Sequence, residues 1–265
     1  MIKIENVEIF GWEASIRGLR SPLNSWDKSD SGYVTEYDEG GFGTEFYKIG
    51  NSDLDLMEKL AVAGSDHSKF MRMINVTCDI TAPLYWWSEY DTYKVGTVRN
   101  SCSKMHKLLS KPFEMSDFSF DKLPGEQREE IKRLWDSGEK SKREIAKMYG
   151  VSHTCINDIT NDKYKYAEKT NVYEEVARPL VDILNEMRDS YLNCDDEEQK
   201  KIIWYSILQL LPESYNQRAT VQINYAVLRN MYHSRKQHKL DEWRTFCKWI
   251  EQLQLSKLII GGIEK

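Results

Sequence analysis

Hydrophobic and polar residues alternate at the start of the chain, which predicts a β-strand over residues 2–10 with one break in its period. Residues 11–52 show little periodicity and are rich in Gly, Ser, Asp and Asn. The stretch is long for a structureless loop, so we expect part of it to be a ligand loop or a subunit contact. Apolar residues at helical spacing predict a helix over residues 53–63 that Gly64 ends. Residues 70–80 favour a strand over a short helix.

The last hundred residues carry four apolar stripes at helical spacing, and such stripes are usually core faces. The first is Val172, Val176, Leu180, Leu184, Met187 and Tyr191, with Pro179 either kinking the helix or marking a restart. The second is Ile203, Ile207, Leu210 and Leu211, ended by Pro212. The third is Val221, Tyr225, Leu228 and Tyr232, and the fourth is Trp243, Phe246, Ile250 and Leu253. Each stripe predicts one helix.

Residues 124–171 are predicted to form a separate module. A short amphipathic helix ends near Trp135, and Ser141 with Glu144 forms a capping box that starts a second helix. Gly150 permits a left-handed turn before a third helix, which Ser152 caps. Two helices joined by so short a turn resemble a helix-turn-helix motif. We therefore divide the chain into a discontinuous domain, residues 1–123 and 172–265, and a helix-turn-helix insertion at 124–171.

An aromatic segment at residues 81–90 is followed by a polar segment at 93–106. This order is typical of the rim of a pocket. A surface loop after a core strand explains the pattern equally well.

Composition and charge exclude several classes of protein. The 265 residues carry a net charge of −5, which excludes a globally basic nucleic-acid coat, and 40% hydrophobic residues exclude a disordered chain. No apolar run approaches the roughly 20 residues that span a bilayer, and the N-terminus has no secretory signal. The five cysteines are widely spaced without a CxxC motif, so we expect free thiols in the cytoplasm and neither disulfides nor a cysteine-rich zinc site.

Familiar catalytic motifs are missing from the sequence. It has no HExxH, no GxGxxG, no P-loop and no GxSxG, so neither a metal centre nor a protein nucleophile is predicted. Asn224 and Arg235 lie eleven residues apart, close to three turns, and would share a face of a continuous helix. An arginine beside an apolar stripe suits a phosphorylated ligand. The alternative is a solvated helix edge on which Arg235 pairs with Glu242.

Two segments together resemble the flavin-dependent thymidylate synthases. That family has a His followed by Phe, then an apolar segment and RHRxxSxNExSxRY, and later an LP and a helix with two asparagines and an arginine. The corresponding residues here are His67, Phe70, Lys94, Thr97, Asn100, Ser103, Leu211, Pro212, Asn224, Asn230 and Arg235. Thr92 and Tyr93 replace the first arginine and the histidine of RHR, and Met105 and His106 replace the closing Arg-Tyr. The resemblance covers about residues 53–123 and 172–255.

The resemblance implies an α+β fold, rich in helices with a small twisted sheet, in a homotetramer whose active sites form between subunits. It implies reductive methylation of dUMP, or of a related pyrimidine nucleotide, by a methyltransferase that uses FAD, with NADPH and methylenetetrahydrofolate as co-substrates. Lys94, Asn100, Ser103 and Arg235 would bind the nucleotide. His67, Thr97, Asn224 and Asn230 would bind the flavin. Substitutes for the lost arginine would have to come from residues such as Arg99, Lys104 or Arg17.

The helix-turn-helix resemblance supports an alternative function, a catalytically silent DNA-binding or regulatory protein on the same scaffold. The residues of its candidate recognition helix that could contact bases are Ser152, His153, Thr154 and Asn157. Acidic residues nearly match the basic residues of this module, so we expect weak contact with DNA. A remnant of a mobile element of the kind found in phage genes is a third explanation.

Overall fold

The computed structural model describes residues 2–119, 125–149, 151, 153–161 and 166–261. The chain divides into two compact units. Unit A comprises residues 2–81, 86–101 and 218–261, and unit B comprises residues 82–85 and 102–217. Within the described residues, no helix is both long enough and apolar enough to cross a bilayer.

Six strands, twelve α-helices and four short 3-10 helices are described. The strands are β1 (Lys3–Phe10), β2 (Gly32–Tyr37), β3 (Gly43–Lys48), β4 (Asn75–Pro83), β5 (Thr97–Ser101) and β6 (Asn216–Asn224). The first six helices are α1 (Trp12–Arg20), α2 (Asn51–Val62), α3 (Leu84–Tyr90), α4 (Lys104–Lys107), α5 (Gly125–Asp136) and α6 (Lys142–Met148). The others are α7 (His153–Thr160), α8 (Tyr166–Leu192), α9 (Glu197–Leu210), α10 (Tyr225–Arg235), α11 (Asp241–Ile250) and α12 (Lys257–Ile260).

Unit A is built on a small sheet with strand order β1-β4-β6-β5. Both outer strands run antiparallel to their neighbours. The predicted break in the period of β1 is a register shift between Glu5 and Glu8, and Asn6 within it has φ of 52°. An extra residue at a bulge restarts the alternation of side chains, which accounts for the pattern.

The aromatic segment forms α3 and contributes the centre of the unit A core. Trp86, Trp87 and Tyr90 are buried, and the Trp86 ring lies 4.8 Å from the Trp243 ring of α11. The apolar stripe predicted over Trp243, Phe246, Ile250 and Leu253 is buried, as expected. The alternative interpretation, a core strand over residues 81–90 followed by a surface loop, is correct about the core position but not about the strand, because residues 84–90 form a helix.

The sequence pattern predicted no helix or strand over residues 11–52. This stretch contains helix α1 and a hairpin formed by β2 and β3. Helix α1 escaped detection because its buried face includes the polar residues Ser15 and Arg20 beside Ile16 and Leu19. Gly11, which precedes the helix, has φ of 93°, and a Cβ at this position would lie 2.1 Å from the Met73 carbonyl oxygen.

The third predicted helical stripe spans two different elements. Val221 lies on β6, where alternate residues are buried, and α10 starts only at Tyr225. Buried residues recur every two positions on the strand and about every 3.6 positions on the helix. Across the boundary between them, the spacing from Val221 to Tyr225 and Leu228 is four and three residues, which imitates one helix. The helix over residues 53–63 and its stop at Gly64, which has φ of 108°, are confirmed.

Among its described residues, unit B contains two hydrophobic clusters. One joins α8 and α9 to the chain around Phe113 and Phe118, and Pro179 lies inside a single continuous α8. The other lies among α5, α6 and α7 and consists of Ile131, Ile145, Ala146, Ile156 and Ile159. The predicted capping box is present, since the Ser141 amide donates to Glu144 Oε2 at 2.8 Å and the Glu144 amide donates to Ser141 Oγ at 3.3 Å. Gly150 and Ser152 lie outside the described residues. The borders of the insertion stay a prediction.

Candidate functional site

Arg235, the last residue of α10, is the centre of a polar cluster in unit A. Its Nη1 donates to Glu89 Oε2 at 2.6 Å, and its Nε donates to the Tyr93 hydroxyl at 2.9 Å. Glu89 lies on α3, and Tyr93 follows that helix by three residues. Segments more than 140 residues apart in sequence therefore meet at one guanidinium group.

Aromatic and imidazole rings surround this ion pair. The Arg235 guanidinium carbon lies 4.8 Å from the centre of the Trp243 ring and 5.6 Å from that of Tyr93. His238 Nε2 lies 3.4 Å from the same Glu89 oxygen. The side chain of Arg235 is 19% exposed and that of Glu89 is 33% exposed, so both are partly open to solvent. Rings beside the pair exclude water and strengthen its electrostatic attraction.

Asn224 occupies the other end of α10. Its Oδ1 accepts from the Val227 amide at 3.0 Å and so caps the helix, and its Nδ2 lies 3.4 Å from the Gly96 carbonyl oxygen. Gly96 has φ of 83°, and a Cβ there would lie 2.5 Å from Asn224 Nδ2. The Thr97 hydroxyl donates to the Tyr93 carbonyl at 2.5 Å. Segment 93–97 thus contacts both Asn224 and Arg235.

The expectation that Asn224 and Arg235 share a face of one helix needs correction. Asn224 is the cap and precedes the first helical residue, so its side chain turns toward the helix N-terminus. The alternative pairing of Arg235 with Glu242 is also wrong, because the carboxylate that bonds Arg235 is Glu89. What joins the two residues is segment 93–97.

Among the contacts that the structure describes, none joins the other five residues that the resemblance implies to this cluster. Lys94, Asn100, His67 and Asn230 are exposed, and Asn230 Oδ1 accepts a 3.4 Å bond from the Ser234 hydroxyl. Ser103 belongs to unit B, where it caps α4 by accepting from the His106 amide at 3.3 Å. Their assignment to nucleotide or flavin stays a prediction.

Sequence reasoning missed Glu89, Trp243 and His238 as site residues. Trp243 was assigned to a core stripe, and Glu89 is one acid in a run of aromatic residues. An acid in such a run is the available signal, because burying a carboxylate requires a cation nearby. The largely buried guanidinium of Arg99 likewise has a counter-charge nearby. Its guanidinium carbon lies 3.8 Å from the Trp87 ring centre, and its Nη1 donates to Asp91 Oδ2 at 2.5 Å.

The candidate DNA-contacting residues lie on α7 or beside it. His153 is exposed, whereas Asn157 Oδ1 accepts from Lys142 Nζ at 2.8 Å and from Asn161 Nδ2 at 3.0 Å. The side chain of Thr154, like Ser152 as a whole, lies outside the described residues. Among the residues that the structure describes, no group of three or more His, Cys, Asp or Glu could hold a metal ion.

Comparison with known proteins identifies the fold of this chain, through solved structures alone. No family model and no curated protein matches the sequence. Solved structures do match, among them thymidylate synthase X (ThyX) from Helicobacter pylori with FAD and dUMP, at a TM-score of 0.58 and 16% identity over 100% of both chains. A second structure of flavin-dependent ThyX from Helicobacter pylori, complexed with FAD and dUMP, matches at a TM-score of 0.56 and 16% identity over 98% of each chain. The chain therefore has a flavin-dependent thymidylate synthase-like α+β fold, which confirms the predicted fold class.

Proposed function

We propose that this chain is a divergent methyltransferase of the flavin-dependent thymidylate synthase type, which binds dUMP or a related pyrimidine nucleotide beside Arg235. The observation that carries the proposal is the meeting of segment 93–97 with Arg235 and Asn224. These are the parts of the chain in which the two halves of the family motif are recognisable. The full-length likeness to a protein solved with FAD and dUMP supports the same proposal.

The four residues that would bind a flavin by resemblance suit that role only in part. The Asn224 carboxamide caps α10, and the Thr97 hydroxyl bonds the Tyr93 carbonyl, so both are engaged within the chain. His67 and Asn230 are exposed, and their side chains are the ones that would hold FAD. Reduced flavin, replenished by NADPH, would supply a hydride, and methylenetetrahydrofolate would supply the carbon. The chain's own part is to bind and orient the pyrimidine, in a homotetramer by resemblance.

Two measurements on the purified full chain test this function. Protein reconstituted with FAD should be yellow, and calorimetry should detect dUMP. Arg235→Ala should abolish dUMP binding, whereas Arg72→Ala, which removes an exposed arginine of the same unit, should leave it unchanged. A colourless protein that fails to bind dUMP, or dUMP binding that survives Arg235→Ala, would contradict the proposal.

A second function, weak DNA binding through α5, α6 and α7, is favoured by one observation. These three helices have a hydrophobic cluster of their own and leave His153 exposed on α7. A gel shift of the full chain at about 50 mM salt should weaken strongly at about 200 mM. His153→Glu should weaken it further, and Asn193→Glu, with the same charge change after α8, should not. Absence of any shift at low salt would exclude this function.

A further inference from the structure

We propose that unit A contains a further ligand site, a pocket of aromatic rings that binds a small methylated ammonium cation. The pocket has a volume of about 270 Å³, slightly below the usual range of ligand sites, and its lining comes from residues 13–47. This range lies within residues 11–52, whose composition predicts a ligand loop or a subunit contact. The lining includes no residue of the cluster around Arg235, so the inference does not depend on the proposed function.

Three aromatic side chains, Trp26, Tyr33 and Tyr47, line this pocket. Tyr33 and Tyr47 are directly opposite one another on β2 and β3, so their side chains leave the hairpin on the same face. Their ring centres lie 5.2 Å apart at an interplanar angle of 76°, and the two rings adjoin at nearly a right angle. Trp26 Nε1 donates to the Arg17 carbonyl at 3.2 Å, which ties the third ring to α1. Aromatic rings set at angles to one another are the means by which proteins recognise methylated ammonium groups.

A carboxylate lies at the edge of these rings. Glu13 is the acidic residue of the lining, and its Oε2 lies 3.4 Å from the Tyr33 hydroxyl. Its Oε1 accepts from Arg17 Nη1 at 2.9 Å, one turn further along α1. The side chain of Arg17 is 67% exposed, so water screens its charge more than that of a buried group. A cation among the rings therefore has a carboxylate beside it.

The charges around the pocket favour a cation over an anion. Arg20, the other basic residue of the lining, is neutralised by Asp53, which its Nε contacts at 2.6 Å. Burial raises the pKa of Tyr47, and the carboxylates of Glu13 and Asp53 each raise it more than Arg17 lowers it. The electrostatic potential at the Tyr47 hydroxyl is therefore negative, although the formal charges of these two acids and two arginines cancel.

Ring faces suit a methylated ammonium better than a primary one. A primary ammonium is strongly hydrated and needs acceptors for three N–H groups. The serines of the lining, Ser29 and Ser31, donate their hydroxyls to Asp53 at 2.7 Å, and Ser31 Oγ also accepts from the Gly50 amide at 2.9 Å. A methylated ammonium requires no hydrogen bonds, and it gains dispersion and electrostatic attraction from the rings. The lining thus selects a cation with an apolar surface.

The test compares choline with dimethylbutanol, its neutral isostere in which a carbon replaces the nitrogen, by calorimetry on the full chain at constant ionic strength. The wild type should bind choline at least about tenfold more tightly than the isostere, because the ring faces attract the charge. Equal affinities for the two ligands, or no binding of choline up to about 20 mM, would overturn the proposal. This comparison uses one protein, so no difference in folding enters it.

Two variants of Tyr33 place the cation in the pocket. Tyr33→Phe keeps the ring and should bind choline within about twofold of wild type, whereas Tyr33→Leu removes the ring and should bind it at least about threefold more weakly. Tyr205→Leu removes an exposed tyrosine of α9 and should leave the affinity unchanged. A Tyr33→Leu protein that binds choline as tightly as wild type would overturn the proposal.

The carboxylate is tested by Glu13→Gln, which keeps the shape of the side chain and removes its charge. This variant should bind choline at least about threefold more weakly and should bind the uncharged dimethylbutanol as wild type does. Glu58→Gln makes the same change at an exposed position of α2 and should alter neither affinity. An unchanged affinity of Glu13→Gln for choline, or an equal loss for both ligands, would contradict recognition of charge in this pocket.

Discussion

Arg20 and Asp53 form an ion pair that is closed to solvent in unit A, with Arg20 Nε 2.6 Å from Asp53 Oδ1. The other carboxylate oxygen accepts 2.7 Å bonds from the hydroxyls of Ser29 and Ser31. Burial alone would raise the pKa of Asp53, but the hydrogen bonds from Ser29, Ser31 and Arg20 outweigh it and lower the pKa. A single carboxylate thus joins the first turn of α2 to the end of α1 and the loop after it.

We predict that Asp53→Asn lowers the free energy of unfolding by about 3–5 kcal/mol, because it leaves the buried Arg20 without a counter-charge. Urea unfolding followed by circular dichroism measures this loss. Asp55→Asn makes the same change at an exposed position of the same helix and should stay within about 0.5 kcal/mol of wild type. Equal losses in the two variants would contradict a structural role for the pair.

Asp79 makes the stability of unit A depend on pH in the acidic range. Its carboxylate accepts from Thr220 Oγ1 at 2.5 Å, from Asn6 Nδ2 at 2.8 Å and from Arg218 Nη2 at 2.7 Å. These bonds, that of Thr220 first, lower the pKa of Asp79 to about 2. Because the folded-state pKa lies below the unfolded value of about 3.9, the stabilisation is present above pH of about 4 and is lost as the pH falls toward 2.

The matching prediction compares wild type with Asp79→Asn by urea unfolding at several pH values. The wild type should be the more stable protein near neutrality, and the difference should shrink steadily as the pH falls from about 4 to about 2. The difference between wild type and Asp55→Asn should stay flat over the same range. A gap for Asp79→Asn that does not change with pH would mean that the charge of this carboxylate contributes no stability.

Sequence patterns predicted the elements whose buried face is mostly apolar. The helices around Met57 and around Trp243 and Phe246 were found because their apolar residues recur at helical spacing and are buried. Helix α1 was missed because Ser15 and Arg20 lie on its buried face and satisfy their polar groups through partners distant in sequence. Periodicity is a local signal and carries no information about such partners.

The candidate site was predictable to a similar degree. Arg235 and Asn224 could be named from the resemblance, since both lie at the family spacing. Glu89 could not, because its role depends on a contact with a residue 146 positions away. The relation between Asn224 and Arg235 was misjudged because a strand ends and a helix begins at Asn224, and the apolar spacing continues across that boundary.

Arg229 is a buried cation that carbonyl oxygens hold. It is 7% exposed, its Nη1 donates to the Ala61 carbonyl at 2.5 Å, and its Nη2 donates to the Gly261 carbonyl at 3.3 Å. Burial lowers its pKa. We predict that Arg229→Ala costs about 3–5 kcal/mol of unfolding free energy, through the cavity and two orphaned carbonyls. Arg229→Met keeps the aliphatic stem and should cost less than half as much in the same urea experiment. Equal costs would show that packing of the stem contributes nothing.

Gly96 allows segment 93–97 to approach Asn224, and replacing it should affect both stability and ligand binding. Its φ of 83° disfavours any side chain, and a Cβ would lie 2.5 Å from Asn224 Nδ2 and 3.0 Å from Val227 Cγ2. Gly41 offers a matched control, because it has φ of 81° but nothing within 4 Å of the position of a Cβ. We predict that Gly41→Ala costs about 1 kcal/mol, the conformational part alone.

Gly96→Ala should cost about 1–3 kcal/mol more than Gly41→Ala, because the cap of α10 must move to admit the methyl group. If segment 93–97 positions Tyr93 against Arg235, the same variant should also weaken pyrimidine binding in calorimetry, and Gly41→Ala should not. Stability costs that match in the two variants would mean that the approach of Gly96 to Asn224 is loose enough to absorb a methyl group. A normal pyrimidine affinity in Gly96→Ala would show that the position of Tyr93 does not depend on the contact between Gly96 and the helix cap.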